Sequence, residues 1–340
     1  MNKDLCEKQE TTFEKDIIFY YKNQISHVTA VNSPSSANLM AMLTITDPVF
    51  GSRQAKYGDE IITTVSGHPS ITNSILQSGL CPVYVDVDLE TFHPNFEIIE
   101  QAITKDIRGI VLGHSFGNPY DIEILRDICD EYGIWMIEDC LDAFGASSHG
   151  NLVGSCGDIS TLNMGFGVCI TNSPMVHKVL KSFANNGTFP EDPIIHRIGY
   201  DVKIAPTLFA ENLNNTQQCW DKLFLGTQKY KKYFHFMKPA SNAIPFWSHF
   251  VMIVKETAPF TKEQFKTYLI DHNIDLRCSF YGNILNYPAY KNINCRIIGT
   301  LFNSDVIDRD SVFINCNIKD KKSDYLLTCI EKFMRKWENT

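Results

Sequence analysis

Two adjacent acids, Glu138 and Asp139, close a short apolar run from Ile134 to Ile137. In an open α/β sheet, chemistry is presented at the carboxyl ends of buried strands. A carboxylate there can pair with a cationic ring nitrogen of a cofactor; it can equally cap the next turn. A second candidate is Ser33-Pro-Ser-Ser36, a turn of small hydroxyl residues ahead of the apolar stretch Ala37 to Leu43. Free N–H groups and the helix dipole at such a start bind anions, phosphate above all. The same residues also read as a plain Ser N-cap with Pro behind it.

The elements that must hold these groups alternate. Strands are expected at Val28–Val31, Glu60–Val65, Pro82–Val87, Gly109–Gly113, Ile134–Ile137 and Phe166–Thr171. Helices are expected at Thr12–Gln24, from Pro34 onward, and at Ser70–Gln77, Asn95–Ile103, Asp121–Tyr132 and Met175–Ala184. In Asp121–Tyr132 the inward set reads Ile122, Ile124, Leu125, Ile128 and Cys129. This spacing means βαβ units and a mostly parallel sheet. Gly187, Pro190 and Pro193 break the pattern and suggest a hinge near 185–199. Beyond it come a long helix (Leu208–Leu225), strands at Phe250–Lys255 and Ser311–Asn315, a capping box at Thr261–Gln264 and a closing helix (Ser323–Trp337). The expected division is a large α/β domain over 1–199, then an interdomain helix and small α+β domain over 200–340.

Composition narrows the class. Hydrophobic residues make up 44% of the 340 and charged residues 21%, enough for a substantial core. A formal charge of −8 with no terminal basic block argues against nucleic acid or an anionic membrane as partner. No apolar run is long enough to span a bilayer, and Met1 to Phe13 lacks a signal-peptide core. Eleven scattered cysteines without a Cys-x-x-Cys pair suit reduced thiols in a cytoplasm, not a disulfide framework or a zinc site.

Several segments together resemble a known family. They are Val31-Asn-Ser-Pro-Ser-Ser-Ala-Asn-Leu39, Tyr57-Gly-Asp-Glu-Ile-Ile62, Val83-Tyr-Val-Asp-Val87, His114-Ser-Phe-Gly-Asn-Pro-Tyr-Asp121, Ile137-Glu-Asp139 and Arg277-Cys-Ser-Phe-Tyr-Gly-Asn283. The likeness is to the nucleotide-sugar aminotransferases and dehydrases (DegT-like), and within them to the CDP-4-keto-6-deoxyglucose 3-dehydrases of lipopolysaccharide O-antigen synthesis. It runs from about Phe13 to Phe333. It implies an α/β fold of type I of the pyridoxal-phosphate (PLP) enzymes, with a mostly parallel central sheet and a smaller C-terminal α+β domain. It further implies PLP or pyridoxamine phosphate (PMP) as cofactor, a nucleotide-linked keto-deoxysugar as substrate, and a homodimer with sites at its interface.

By the same resemblance, Ser35 and Ser36 match the phosphate turn and His68 the position of a ring-stacking side chain. Asp139 matches the partner of the ring nitrogen, whose protonation makes the ring an electron sink. Asp142 matches a polar neighbour of the cofactor, Asn163 belongs to the same set, and Lys203 matches a loop reaching the neighbouring subunit's cofactor. Arg277 and Asn283 lie in the motif assigned to substrate.

Departures accompany the likeness. Where aminotransferases of the family carry the lysine that binds PLP, and 3-dehydrases a histidine, Gly157-Asp-Ile-Ser-Thr-Leu-Asn163 runs straight into Met164-Gly-Phe-Gly167. The base-bearing segment is missing by this reading, so any cofactor would be held non-covalently. Lys178 and Lys181 fall on the next helix and are poor substitutes. Pro34 stands where the family has Gly, which removes an N–H from the cradle. The loop over 185–200 has no cysteine, so no iron–sulfur cluster is expected. His149, His114 and Cys169 are weak candidates for a replacement base. Three readings stay open: an active dehydrase with an unusual base, an inactive homologue that binds cofactor or nucleotide sugar as a partner protein, and a scaffold that retains dimerisation alone.

Overall fold

The computed structural model describes residues 13–188, 194–204, 214–274, 276, 282–316 and 320–337. Helix α1 covers residues 13–20. Then follow β1 (His27–Val31), α2 (Pro34–Ile45), β2 (Glu60–Thr64), α3 (Pro69–Gln77), β3 (Cys81–Val85), α4 (Phe96–Ala102), β4 (Ile107–Gly113), α5 (Ile122–Tyr132) and β5 (Trp135–Cys140). A hairpin, β6 (Ser147–Ser148) and β7 (Asn151–Leu152), leads to β8 (Ile159–Asn163), β9 (Gly167–Thr171) and α6 (Pro174–Ala184). The C-terminal part holds α7 (Asn214–Thr227), β10 (Phe234–Phe236), β11 (Ala243–Ile244), β12 (His249–Val254), α8 (Lys262–Asp271), β13 (Arg296–Ile297), α9 (Phe302–Asp310), β14 (Ser311–Asn315) and α10 (Asp320–Met334).

Eight strands form the main sheet in the order β1-β9-β8-β5-β4-β2-β3-β13. From β8 to β13 every pairing is parallel, and β9 and β1 add on antiparallel. The order turns back at β2, which has β4 on one side and β3 on the other. An open sheet leaves a crevice at such a reversal, outside the carboxyl ends of the strands. Both faces of β3 and β5 are buried, as their apolar runs require. A second, antiparallel sheet (β10-β12-β14) packs on α7, α8 and α10 around an aromatic core in which Trp220 and Trp247 stack at 4.5 Å.

Local chemistry sets the helix ends. Asp121 caps α5 by accepting from Ile124 N, and Gly133 ends it in a left-handed turn at φ 64°. Thr261 and Gln264 form the expected capping box on α8. One inward residue is corrected: Ile124 is 44% exposed. It sits two residues beyond Ile122, about 200° round the helix, whereas Leu125, Ile128 and Cys129 share the buried stripe. Asp86, directly after β3, accepts the backbone N–H groups of Asn303 and Ser304 at the start of α9.

The C-terminal part is not wholly separate from the main sheet. Strand β13 returns to its edge beside β3, where Arg296 forms a fork onto Glu60 at 3.0 and 2.6 Å. Among the described residues no helix is long and apolar enough to cross a membrane.

Candidate active site

A cavity of about 330 Å³ opens at the crevice, lined by Thr64 at the end of β2 and Gly67 beyond it, Gly113 at the end of β4 and His114 beyond it, and Asp139 near the end of β5 and Asp142 beyond it. Pro34 and Ser35 come from the start of α2, His68 from the cap of α3, Asn163 from the end of β8, and His249 and Phe313 from the small sheet. Its size suits a small cofactor with part of a substrate.

Asp139 is the buried charge of this cavity, with 5% of its surface exposed. Its Oδ1 accepts from Leu141 N at 3.0 Å and its Oδ2 from Asn38 Nδ2 at 2.9 Å. Burial pushes its pKa up to about 6; the hydrogen bonds of Leu141 and Asn38 pull against that, and nearby Asp142 adds to it. Two neutral donors do not compensate a desolvated carboxylate, so a cation in the cavity would be well placed beside it.

His68 caps α3 with its ring: Nδ1 lies 3.2 Å from Ser70 N and 2.8 Å from Ser70 Oγ. Burial lowers its pKa, partly offset by Asp142, so the ring is neutral at pH 7. A neutral, flat ring on the wall suits stacking on another ring. At the start of α2, Ser33 Oγ accepts from Ser36 N at 3.1 Å, and Ser36 Oγ donates to Asn32 Oδ1 at 2.7 Å. The cap therefore engages the N–H and the hydroxyl of Ser36, and Ser35 is the serine of this turn that lines the cavity.

Strands β8 and β9 are joined by Met164, Gly165 and Phe166 alone. Gly165 has φ 81° and donates its N–H to Asn163 Oδ1, while Met164 N donates to Phe166 O. From Ile159 to Thr171 there is no lysine and no histidine, and among the described residues no lysine lines the cavity.

A family model described as the DegT/DnrJ/EryC1/StrS aminotransferase family matches residues 5–325. The chain belongs to this family. Over 356 residues it is 29% identical to "Lipopolysaccharide biosynthesis protein RfbH" of Salmonella typhimurium, covering 91% of this chain and 82% of that one. It is 28% identical to "dTDP-4-dehydro-2,6-dideoxy-D-glucose 3-dehydratase" of Saccharopolyspora spinosa, covering 95% and 80%. Among solved structures, the E. coli GDP-4-keto-6-deoxy-D-mannose-3-dehydratase with bound hydrated PLP superposes with a TM-score of 0.79. That match covers 94% of this chain and 91% of that one, at 18% identity. It fixes the fold as that of type I PLP enzymes.

In this DegT-family chain Ser35, His68, His114, Asp139, Asp142 and Asn163 meet at one cavity. The other expected residues lie elsewhere. Ser36 lines a smaller neighbouring hollow with Ser70 and Asn73. Lys203 bridges to Val31 and donates to Asn185 Oδ1, away from the cavity lining. Asn283 caps a short turn and donates to Asp305 Oδ1 at 2.8 Å. Arg277 lies outside the described residues.

The candidate bases separate as well. His149 sits on the β6–β7 turn with Nε2 2.9 Å from Asp121, and that hydrogen bond raises its pKa. Cys169 is buried against Ala37 O, and burial pushes its thiol up to about 12. Neither lines the cavity. His114 does, but its Nε2 faces Glu138 Oε2 at 3.2 Å. With Cys140 these two place three donor atoms within 4.8 Å of one another. The Glu138 oxygens already accept the N–H groups of Gly154, Cys156 and Gly157, so this carboxylate is filled from within the chain, while His114 Nδ1 is buried without a hydrogen-bond partner among the described residues. The sequence reading missed His249, which enters from the other sheet, and the Asn38 network described below.

Proposed function

We propose that this protein binds PMP or PLP non-covalently and recognises a nucleotide-linked 4-keto-6-deoxysugar, as a 3-dehydratase-type member of its family serving surface-polysaccharide synthesis. The observation that carries this reading is Asp139: a buried, under-compensated carboxylate at the carboxyl end of β5, facing a cavity walled by His68. The 3-dehydratase names of relatives covering most of the chain support the substrate class. When bound, the cofactor supplies an electron sink and, in its amine form, the group that captures a keto sugar. Asp139 would hold the proton on the ring nitrogen, His68 would cover a ring face, Ser35 and the α2 N-terminus would receive the phosphate, and Asn163 would border the site. The family's homodimer, with its sites between subunits, belongs to the proposal, as does a reducing cytoplasm, in keeping with nine described cysteines that are all free.

The three-residue β8–β9 turn favours a second reading. A transaminase needs an amine to bind the cofactor and a base to move a proton, and one lysine does both. By resemblance that residue belongs on this connection, which here holds neither lysine nor histidine. The second reading is a binding protein that takes the same ligands without turnover.

Titration with PLP and then PMP tests the common part, read by absorbance and by melting temperature. A ligand of the folded state raises the melting temperature by mass action. PMP is expected to raise it, and PLP is expected to keep the spectrum of the free aldehyde. No shift with either compound sinks both readings. Incubating the PMP complex with a CDP-4-keto-6-deoxy sugar then separates them: loss of the 3-hydroxyl supports the dehydratase, and binding without product supports the partner protein.

A further inference from the structure

Asn38 lies in the middle of α2, 3% exposed, inside an otherwise apolar helix face. A buried amide in such a place must be satisfied or it costs stability. Its Nδ2 is 2.9 Å from Asp139 Oδ2 and 3.0 Å from Ser70 Oγ, and its Oδ1 is 2.7 Å from Thr161 Oγ1. An ionised carboxylate only accepts, so the amide nitrogen must be the atom that faces Asp139. One amide hydrogen goes to Asp139 and the other to Ser70, and the Thr161 hydroxyl donates from behind.

The chain of donors continues to the histidine. Ser70 Oγ, accepting from Asn38, turns its own hydrogen to His68 Nδ1 at 2.8 Å. The Ser70 backbone N–H, which can only donate, points at the same nitrogen from 3.2 Å. His68 Nδ1 therefore carries no proton, and the proton of the neutral ring sits on Nε2.

We propose that Asn38 is a positioning residue for the cofactor site: one buried amide fixes the Asp139 carboxylate and, through Ser70, the Nε2–H form of His68. The proposal rests on the cofactor reading above. It adds that the ring-nitrogen partner and the ring-stacking residue are set together, by a residue that lies behind both and outside the cavity lining.

The test uses the full chain and begins without ligand. Carbon-detected NMR of labelled aspartate follows the Asp139 titration, and nitrogen shifts of labelled histidine report the His68 tautomer, in wild type, Asn38→Leu and Ser70→Ala. Asn38→Leu is expected to raise the Asp139 midpoint by about one unit and to mix the His68 tautomers. Ser70→Ala is expected to mix the tautomers and leave Asp139 where it was. The affinity for PMP is then measured from pH 5 to 9, where Asn38→Leu should lose about tenfold at neutral pH and shift the acid limb upward.

A purely structural Asn38 would lower stability without moving either NMR readout, and that result overturns the proposal. Should Asn38→Leu fail to fold, Thr161→Val, which releases the amide from behind, must move the Asp139 and His68 signals in the same directions. If wild type binds no PMP at any pH, the cofactor reading falls, and the ligand-free spectra alone decide whether Asn38 couples the two groups.

Discussion

Glu138 and Asp139 are neighbours on β5, both buried, and their side chains leave opposite faces of the strand. Their surroundings differ sharply. Glu138 meets His114 and the N–H groups of Gly154, Cys156 and Gly157. Burial pushes its pKa up, but the His114 hydrogen bond and charge and the backbone donors outweigh burial and hold it below the ordinary value. Asp139 has two neutral donors, and burial wins. A carboxylate whose acceptor sites are filled from within the chain is structural. One left short at the edge of a cavity has capacity for a ligand.

Substitution should separate the two faces. Glu138→Gln leaves His114 and a set of backbone donors without their charged acceptor, at a cost of about 3–5 kcal/mol in urea unfolding. The change in PMP affinity at temperatures where the variant is folded should be small. Asp139→Asn should do the reverse, weakening PMP by at least about 100-fold, roughly 3 kcal/mol, with little loss of fold. If both variants lose stability alike and bind PMP alike, the contrast between the faces is broken.

The pH dependence sharpens the same contrast. The folded pKa of Asp139, about 6, lies above the ordinary 3.8. Its protonated form therefore adds stability that is fully present below the ordinary value and lost as pH rises through 6. The ligand-free wild type, compared with Asp139→Asn, should lose roughly 2–3 kcal/mol between pH 4 and 7, measured by denaturant midpoints across that range. Glu138, with its pKa held low, has the opposite sign: its contribution is present above the ordinary carboxylate value and fades in acid. The smallest effect belongs to His149→Ala. Its ion pair with Asp121 is on the surface and away from the cavity, so PMP affinity should stay within about twofold.

Much of the fold was legible because it is written in local runs. Apolar stretches bounded by turn residues located β1 to β5, β9, β12 and β14 to within a few residues, and the acid pair at the end of β5 marked the mouth of the sheet. What escaped was non-local. Strand β13 is two residues long and has no pattern of its own. Strand β8 was read only as the segment Gly157 to Asn163 that leads into Met164, not as a strand. Asn38 reaches Asp139 across 101 positions and Thr161 across 123, and nothing near Asn38 in sequence announces either partner. His249 arrives at the cavity from a separate sheet for the same reason. The resemblance brought Ser35, His68, Asp139, Asp142 and Asn163 to one place, while Ser36, Lys203 and Asn283 found other partners.

The loop after β4 carries a mechanical consequence. Phe116 holds φ 57°, and a Cβ on Gly117 would lie 1.8 Å from Phe246 O. Phe246 N donates to Gly117 O at 2.9 Å, Ser248 N to Phe116 O at 3.0 Å, and Cys316 N to Ser248 O at 3.2 Å. This seam stitches the wall of the cavity to the small sheet by main chain, just beside His249. The mouth cannot widen there by side-chain movement alone; those amides must let go first. Their hydrogen-exchange rates are thus a gauge of how often this side of the site breathes, and a ligand that bridges the seam would be read as a slowing of the Phe246 and Ser248 amides.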